Sequence, residues 1–90
     1  MVQHQEYFSF KMDHSYKFRI SCRVELREPG ESSEFEFKYQ LLSEAKANYK
    51  SILLGLYRKK DVVGFTICLN RTSDKKWGQA IFREENPSNG

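Results

Sequence analysis

The chain has 90 residues, of which 39% are hydrophobic, 14% are aromatic and 30% are charged. This length fits one domain, and the aromatic content is too high for a disordered tail. No apolar run approaches the roughly 20 residues of a membrane-spanning helix. Composition therefore excludes a multidomain enzyme and a membrane span, and we expect one domain over residues 1–84 with a polar tail over 85–90.

The first half of the chain shows the period-two alternation of β-strands. Apolar and polar residues alternate over 4–12, again over 16–28, and again over 34–39. Turn-forming residues at 29–33 separate the last two segments. The pattern predicts three strands, with 4–12 paired to 16–28.

Charges suggest a register for the hairpin formed by the second and third segments. The apolar residues of both strands must share one face. In one register Arg27 lies opposite Glu36 and Glu25 lies opposite Lys38, so opposite charges are paired. In the next register Glu25 lies opposite Glu36, which places like charges together. We therefore expect the first of these two registers.

Residues 42–60 change to a helical period. The apolar positions fall on one stripe, which indicates an amphipathic helix: Leu42, Ala45, Tyr49, Ile52, Leu53 and Leu56. We expect Ser43 to be the N-cap. Gly55 interrupts the helix, and we expect it to permit close packing on the sheet.

Two further strands are predicted after the helix. Alternation over 63–70 places Val63 inward, a polar loop follows over 71–76, and 77–83 forms the last strand with Phe82 opposite Phe65. The predicted fold class is α+β, a single antiparallel sheet of about five strands (β-β-β-α-β-β) with one amphipathic helix on one face.

Positive charge is concentrated in the second half of the chain. The net charge is +3 overall, −1 over residues 1–40 and +4 over 41–90. A local basic excess fits an acidic partner, and a solvated surface is the ordinary alternative.

Two groups of residues are candidates for binding. The first lies on one shoulder of the helix and the second in the 71–76 loop with the only tryptophan. The candidate partner-binding residues are Lys46, Lys50, Leu54, Tyr57, Arg58, Arg71, Lys75, Lys76 and Trp77. Exposed aromatic, leucine and arginine side chains suit a protein interface, and the lysines also suit phosphate groups.

Evidence for catalysis or metal binding is weak. His4 and His14 lie near no nucleophile pattern, and Cys22 and Cys68 show no metal-binding spacing. We therefore expect no catalytic residue, metal or cofactor, and two reduced thiols in a cytoplasmic protein.

Three arginines on one sheet face support a different hypothesis. The three residues are Arg19, Arg23 and Arg27, and Tyr7 is expected to lie beside them. Arginine and tyrosine side chains on a sheet face are groups with which a small basic ribonuclease can cleave RNA.

We predict a non-enzymatic binding or accessory protein that acts by protein–protein interaction. Its partner would present an acidic or a nucleic-acid-binding surface. One form of this hypothesis is an inhibitor of nucleic-acid machinery, such as phages and mobile elements use against host defence. Direct nucleic-acid binding is the first alternative and the ribonuclease the second. A homodimer through a sheet edge is also compatible with the pattern.

Overall fold

The computed structural model describes residues 16–28 and 31–87. In these residues it contains β1 (Phe18–Leu26), β2 (Ser32–Tyr39), α1 (Leu42–Arg58), β3 (Val62–Arg71) and β4 (Phe82–Asn86). The strands form one antiparallel sheet in the order β2-β1-β3-β4, with α1 packed on one face. The predicted α+β class is confirmed.

The fifth predicted strand, over 4–12, lies outside the described residues. Its expected partner, β1, pairs with β2 on one side and with β3 on the other. Both backbone edges of β1 are therefore occupied.

The core lies between the sheet and α1. Alternate residues of β1 and β3 face the helix and are buried, namely Ile20, Cys22, Val24, Phe65, Ile67 and Leu69. From the helix, Ala45, Tyr49 and Leu56 are buried, and the other three residues of the predicted stripe are partly buried. These residues are the ones through which α1 packs on the sheet.

The ends of α1 differ from the prediction. Leu41 is the N-cap, with extended backbone and no side-chain hydrogen bond, so Ser43 lies inside the first turn and the N-cap prediction is wrong. Glu44 in the first turn and Arg58 in the last turn complement the helix dipole. Within the described residues, no helix combines the length and apolar character needed to cross a membrane.

The predicted register of the β1–β2 hairpin is wrong. The structure pairs Ser21 with Glu36 and Arg23 with Glu34. The cause is a short turn, since the Leu26 amide donates to the Glu31 carbonyl at 3.2 Å and closes the hairpin over only four residues. The apolar side chains still share one face, because the shift is an even number of residues.

A β-bulge changes which valine faces the core. The pairing of β1 with β3 shifts between Glu25 and Leu26, so Leu26 pairs with Val62. A bulge inserts one extra residue and reverses the facing of those beyond it. Val62 packs against the core in place of Val63, which the alternation had placed inward.

The last strand begins later than predicted. The segment 77–83 is mostly loop, and β4 pairs Phe82 with Leu69 and Asn86 with Phe65. The predicted pairing of Phe65 with Phe82 is therefore wrong. The first two residues assigned to the polar tail, at 85 and 86, belong to β4.

Candidate functional site

The helix residues predicted to bind a partner lie together on the side of α1 that faces β4. Lys46, Lys50, Leu54 and Arg58 follow each other at intervals of four, so they form one line along the helix. Tyr57 lies beside this line. We call these five residues the basic ridge.

Contacts with the sheet hold the ridge in place at both ends. The Lys46 ammonium lies 5.6 Å from the centre of the Phe82 ring, and the Tyr57 ring meets the Phe65 ring edge-to-face at 5.1 Å. The Tyr57 hydroxyl donates a hydrogen bond of 2.7 Å to the Glu84 carboxylate. This bond raises the pKa of the Tyr57 phenol, so the hydroxyl remains a donor well above neutral pH.

Leu54, in the middle of the basic ridge, and Tyr57, near its end, are both exposed. Leu54 is 56% exposed and Tyr57 is 54% exposed. Lys50 and Arg58 are also exposed, and neither forms an ion pair with a described residue. The ridge therefore offers an apolar centre with uncompensated positive charge around it.

The loop between β3 and β4 is held by two polar side chains that sequence reasoning did not single out. The buried Asn70 amide donates to the carbonyls of Lys75 at 2.7 Å and Lys76 at 3.2 Å. Arg19 donates to the Asn70 side chain at 3.2 Å and to the Asp74 carbonyl at 2.6 Å. An asparagine before a polar segment is a common turn signal and could have indicated this role.

Trp77 and Lys76 belong to an ion-pair cluster on the sheet face opposite α1. Lys76 contacts the Glu34 carboxylate at 2.7 Å, and Arg23 contacts the same carboxylate at 3.2 Å. The Arg23 guanidinium also lies 4.9 Å from the centre of the half-buried Trp77 ring. Lys76 first, and then Arg23, lower the pKa of Glu34 below its usual value.

The structure therefore separates the two groups of candidate residues. The basic ridge lies on the helix side of the sheet, whereas the loop is tied to Arg19 and Asn70, which face the other side. Arg71 pairs with Phe18 at the end of β3 and by alternation shares the face of Leu69, and Lys75 is exposed, whereas Lys76 is neutralised by glutamates. A flat partner on the basic ridge therefore does not reach Lys76 and Trp77, which lie with Arg23 and Glu34 on the opposite face.

The arginines of the ribonuclease hypothesis are engaged in structural contacts. Arg19 holds the loop, Arg23 pairs with Glu34, and Arg27 donates to the Lys60 carbonyl at 2.7 Å. Tyr7, His4 and His14 lie outside the described residues.

An apolar cleft on the other side of α1 was missed by sequence reasoning. It has a volume of about 370 Å³ and lies between the helix and the outer half of the β1–β2 hairpin. Its lining includes Phe35, Phe37, Ile52, Gly55 and Val62. A Cβ atom at Gly55 would meet nothing within 4 Å, so the predicted close packing at this glycine is wrong.

The dimensions of the elements explain the cleft. An α-helix with its side chains is about 10–12 Å wide, whereas four strands spaced about 4.8 Å apart extend further. One helix therefore leaves part of a four-stranded sheet uncovered, and here the uncovered part is the β2 edge. A comparison of these dimensions is the signal that could have indicated the cleft from the sequence.

No group of three or more candidate metal ligands occurs among residues 16–28 and 31–87. Both cysteines are free and buried. Comparisons with protein-family models, with curated proteins and with solved structures gave no significant match.

Proposed function

We propose that this chain is a non-enzymatic binding module that acts by protein–protein interaction through the basic ridge. The exposed Leu54, with uncompensated cations around it, is the observation that carries the proposal. A leucine more than half exposed on an ordered helix contributes little to the fold and is available to a partner.

The composition of the ridge suits a protein interface. Tyrosine and arginine are enriched at interface cores, where Tyr57 and Arg58 would lie beside Leu54, and lysines occur at the polar rim. The Lys46 and Lys50 charges favour an acidic partner surface. An inhibitor that covers an acidic region of nucleic-acid machinery is one form of this function.

Protein binding fits the geometry better than nucleic-acid binding does. A nucleic-acid surface gains most of its affinity from several cations that reach neighbouring phosphates. Here Lys76 lies on the sheet face opposite the basic ridge and is already paired with Glu34 and Glu36. The ridge alone offers three cations arranged around an apolar centre.

Affinity capture from nuclease-treated extract of the native host tests the proposal. The wild-type chain is compared with Leu54→Asp and with the Lys50→Glu, Arg58→Glu double variant. We expect a protein whose retention falls about ten-fold or more with both ridge variants. Lys75→Glu is the matched control, since it reverses an exposed charge in the loop, outside the basic ridge, and should retain the partner.

Salt dependence separates the protein from the nucleic-acid function. Electrophoretic shift with random DNA and RNA at two salt concentrations should show no binding that depends on Lys50 or Arg58. A shift that weakens steeply with salt and disappears in the ridge double variant would overturn the proposal in favour of nucleic-acid binding. Equal loss of a captured protein with Lys75→Glu would also contradict it.

A further inference from the structure

A row of side chains with two short, fully buried members crosses the sheet face opposite α1. Ser21 of β1 pairs with Cys68 of β3, and neither side chain has any exposed surface. The row continues outward to Glu36 on β2 and to Arg83 on β4. Because serine and cysteine are short, another part of the chain must cover the centre of this row to bury it.

The Lys76 side chain crosses β1 above this row. The buried Asn70 amide holds the Lys76 carbonyl at 3.2 Å on the β3 side. The Lys76 ammonium lies 2.7 Å from Glu34 and 3.8 Å from Glu36, which both belong to β2. The side chain therefore spans the strand between β3 and β2, at the level where Ser21 pairs with Glu36.

Trp77 follows a diagonal across the same row. Asn70 anchors the residue before it, and the Arg23 guanidinium lies 4.9 Å from the centre of its ring. Asn70 is two residues from Cys68 along β3. Arg23 is two residues from Ser21 along β1, on the other side of the row. The indole ring therefore lies between these positions and covers the row.

The contacts of these two side chains are weaker than those that anchor the backbone before them. Asn70 is fully buried, so solvent does not reach its hydrogen bonds to the loop backbone. The side chains of Lys76 and Glu34 are 37% and 40% exposed. Exposed ion pairs contribute little stability and are screened by salt. The outer contacts can therefore open while those of Asn70 persist.

The closed arrangement also leaves two polar atoms unsatisfied. Ser21 Oγ and Arg19 Nε are buried, and neither has a hydrogen-bond partner among the described residues. A buried polar atom without a partner carries a desolvation cost. Water can reach these atoms when Lys76 and Trp77 move away, which favours opening.

We propose that Lys76 and Trp77 form a latch, hinged at Asn70, that opens on this face of the sheet. Opening exposes Cys68, whereas Cys22, in the core beneath α1, stays buried. High ionic strength favours the open form because it weakens the ion pairs of Lys76. The latch is therefore a salt-sensitive switch that covers a thiol in one state and makes it accessible in the other.

Alkylation with iodoacetamide, followed by peptide mass analysis, tests the latch in the native full chain. The reagent is neutral, so salt does not alter its approach to charged groups. Cys22 reports opening of the core in the same molecule. We expect Cys68 to react about ten-fold faster than Cys22 or more, because local opening costs less free energy than unfolding. Raising sodium chloride from low salt to about 1 M should increase the Cys68 rate about three-fold and leave the Cys22 rate unchanged.

A charge-neutralising variant tests the same contact without salt. Glu34→Gln should raise the Cys68 rate about three-fold at low salt, because it removes the carboxylate that Lys76 and Arg23 share. High salt should then have a smaller effect than in the wild type. Glu31→Gln is the matched control, since it makes the same change at an exposed position of the same hairpin and should leave both rates unchanged.

Trp77→Ala removes the larger side chain of the latch. It should raise the Cys68 rate more than Glu34→Gln does, with Cys22 again as the reference for unfolding. Unchanged protection of Cys68 in this variant would show that other residues cover the thiol and would overturn the proposal. A Cys68 rate that responds neither to salt nor to Glu34→Gln would do the same.

Equal rates at Cys68 and Cys22 in the wild type would mean that both thiols become accessible only by unfolding, which would also overturn the latch. The proposed function is separable from these results. The basic ridge lies on the other face of the sheet, and none of these substitutions alters it.

Discussion

The two sides of α1 meet the same sheet in different ways. Toward β4, side chains close the contact between helix and sheet. The Tyr57 ring packs on Phe65 and its hydroxyl donates a hydrogen bond to Glu84. The ring centres of Tyr49 and Phe82 lie 5.4 Å apart. Toward β2 the contact is open, with Gly55 above a cleft and Phe35 and Phe37 partly in water. The helix therefore covers the β4 side of the sheet more fully than the β2 side.

The difference indicates which residues stabilise the fold and which are available for binding. Residues on the closed side gain their burial from contacts within the chain. Phe35 and Phe37 of β2 retain exposed apolar area, which makes them candidates for contact with a partner. On the closed side Leu54, in the middle of the basic ridge, also retains exposed apolar area.

The largest expected effect comes from comparing the same substitution on the two sides. Phe65→Ala removes a ring that is 3% exposed on the closed side, and we expect a loss of about 3–5 kcal/mol in the free energy of unfolding. Phe35→Ala removes the same atoms from the open side, where we expect a loss of about 1 kcal/mol or less at low protein concentration. Urea denaturation followed by circular dichroism measures both.

Equal losses for these two variants would contradict the distinction between the sides. Phe65→Leu keeps the comparison measurable if Phe65→Ala fails to fold, because leucine preserves part of the buried area.

Much of the fold could be predicted because it depends on residue period. Alternation in β1 and β3 and the stripe of α1 identify the core, since each apolar face must be buried somewhere. The hairpin register required a different kind of information. Opposite charges favoured Arg27 with Glu36, but a surface charge pair contributes less than about 1 kcal/mol. The hydrogen-bonded turn from Leu26 to Glu31 determines the pairing instead.

The last strand was misplaced because Trp77 and Ile81 alternate with polar residues in a segment that is not a strand. Long-range contacts determine the structure there, namely the hydrogen bonds from Arg19 and Asn70 that fold the loop against the sheet. A pattern within one segment contains no information about such distant partners. For the same reason, the sequence did not indicate that Lys76 and Trp77 lie on the sheet face opposite the basic ridge.

Cys22 tests whether water reaches the core through the open side. It lies between Phe35 of β2 and Ile67 of β3, and burial raises the pKa of its thiol to about 11. Above pH 9 the unfolded chain releases this proton while the folded chain retains it. Unfolding is therefore favoured as the pH rises toward 11, and stability should fall by about 2 kcal/mol between about pH 8 and about pH 10.5.

Urea midpoints of the wild type and of Cys22→Ala, measured under reducing conditions across this range, isolate the contribution of Cys22. The variant retains the other titrating groups. Its free energy of unfolding should therefore fall by about 2 kcal/mol less than that of the wild type over the same pH range. Identical pH profiles would mean that the thiol ionises at its ordinary pKa near 9.0, and hence that the cleft admits water to β1.

The smallest expected effect is a gain in stability at the open side itself. Gly55→Ala should raise the free energy of unfolding by about 1 kcal/mol, because alanine favours the helix and its Cβ would enter empty space in the cleft. Ala47→Gly, at an exposed position of the same helix, should lower the free energy of unfolding by a similar amount. This loss measures the difference in helix propensity between alanine and glycine without any contribution from the cleft. Thermal unfolding of the two variants gives the comparison. A gain at residue 55 that matches the loss at residue 47 means that the cleft is open in solution, whereas a destabilising Gly55→Ala means that the sheet closes against the helix there.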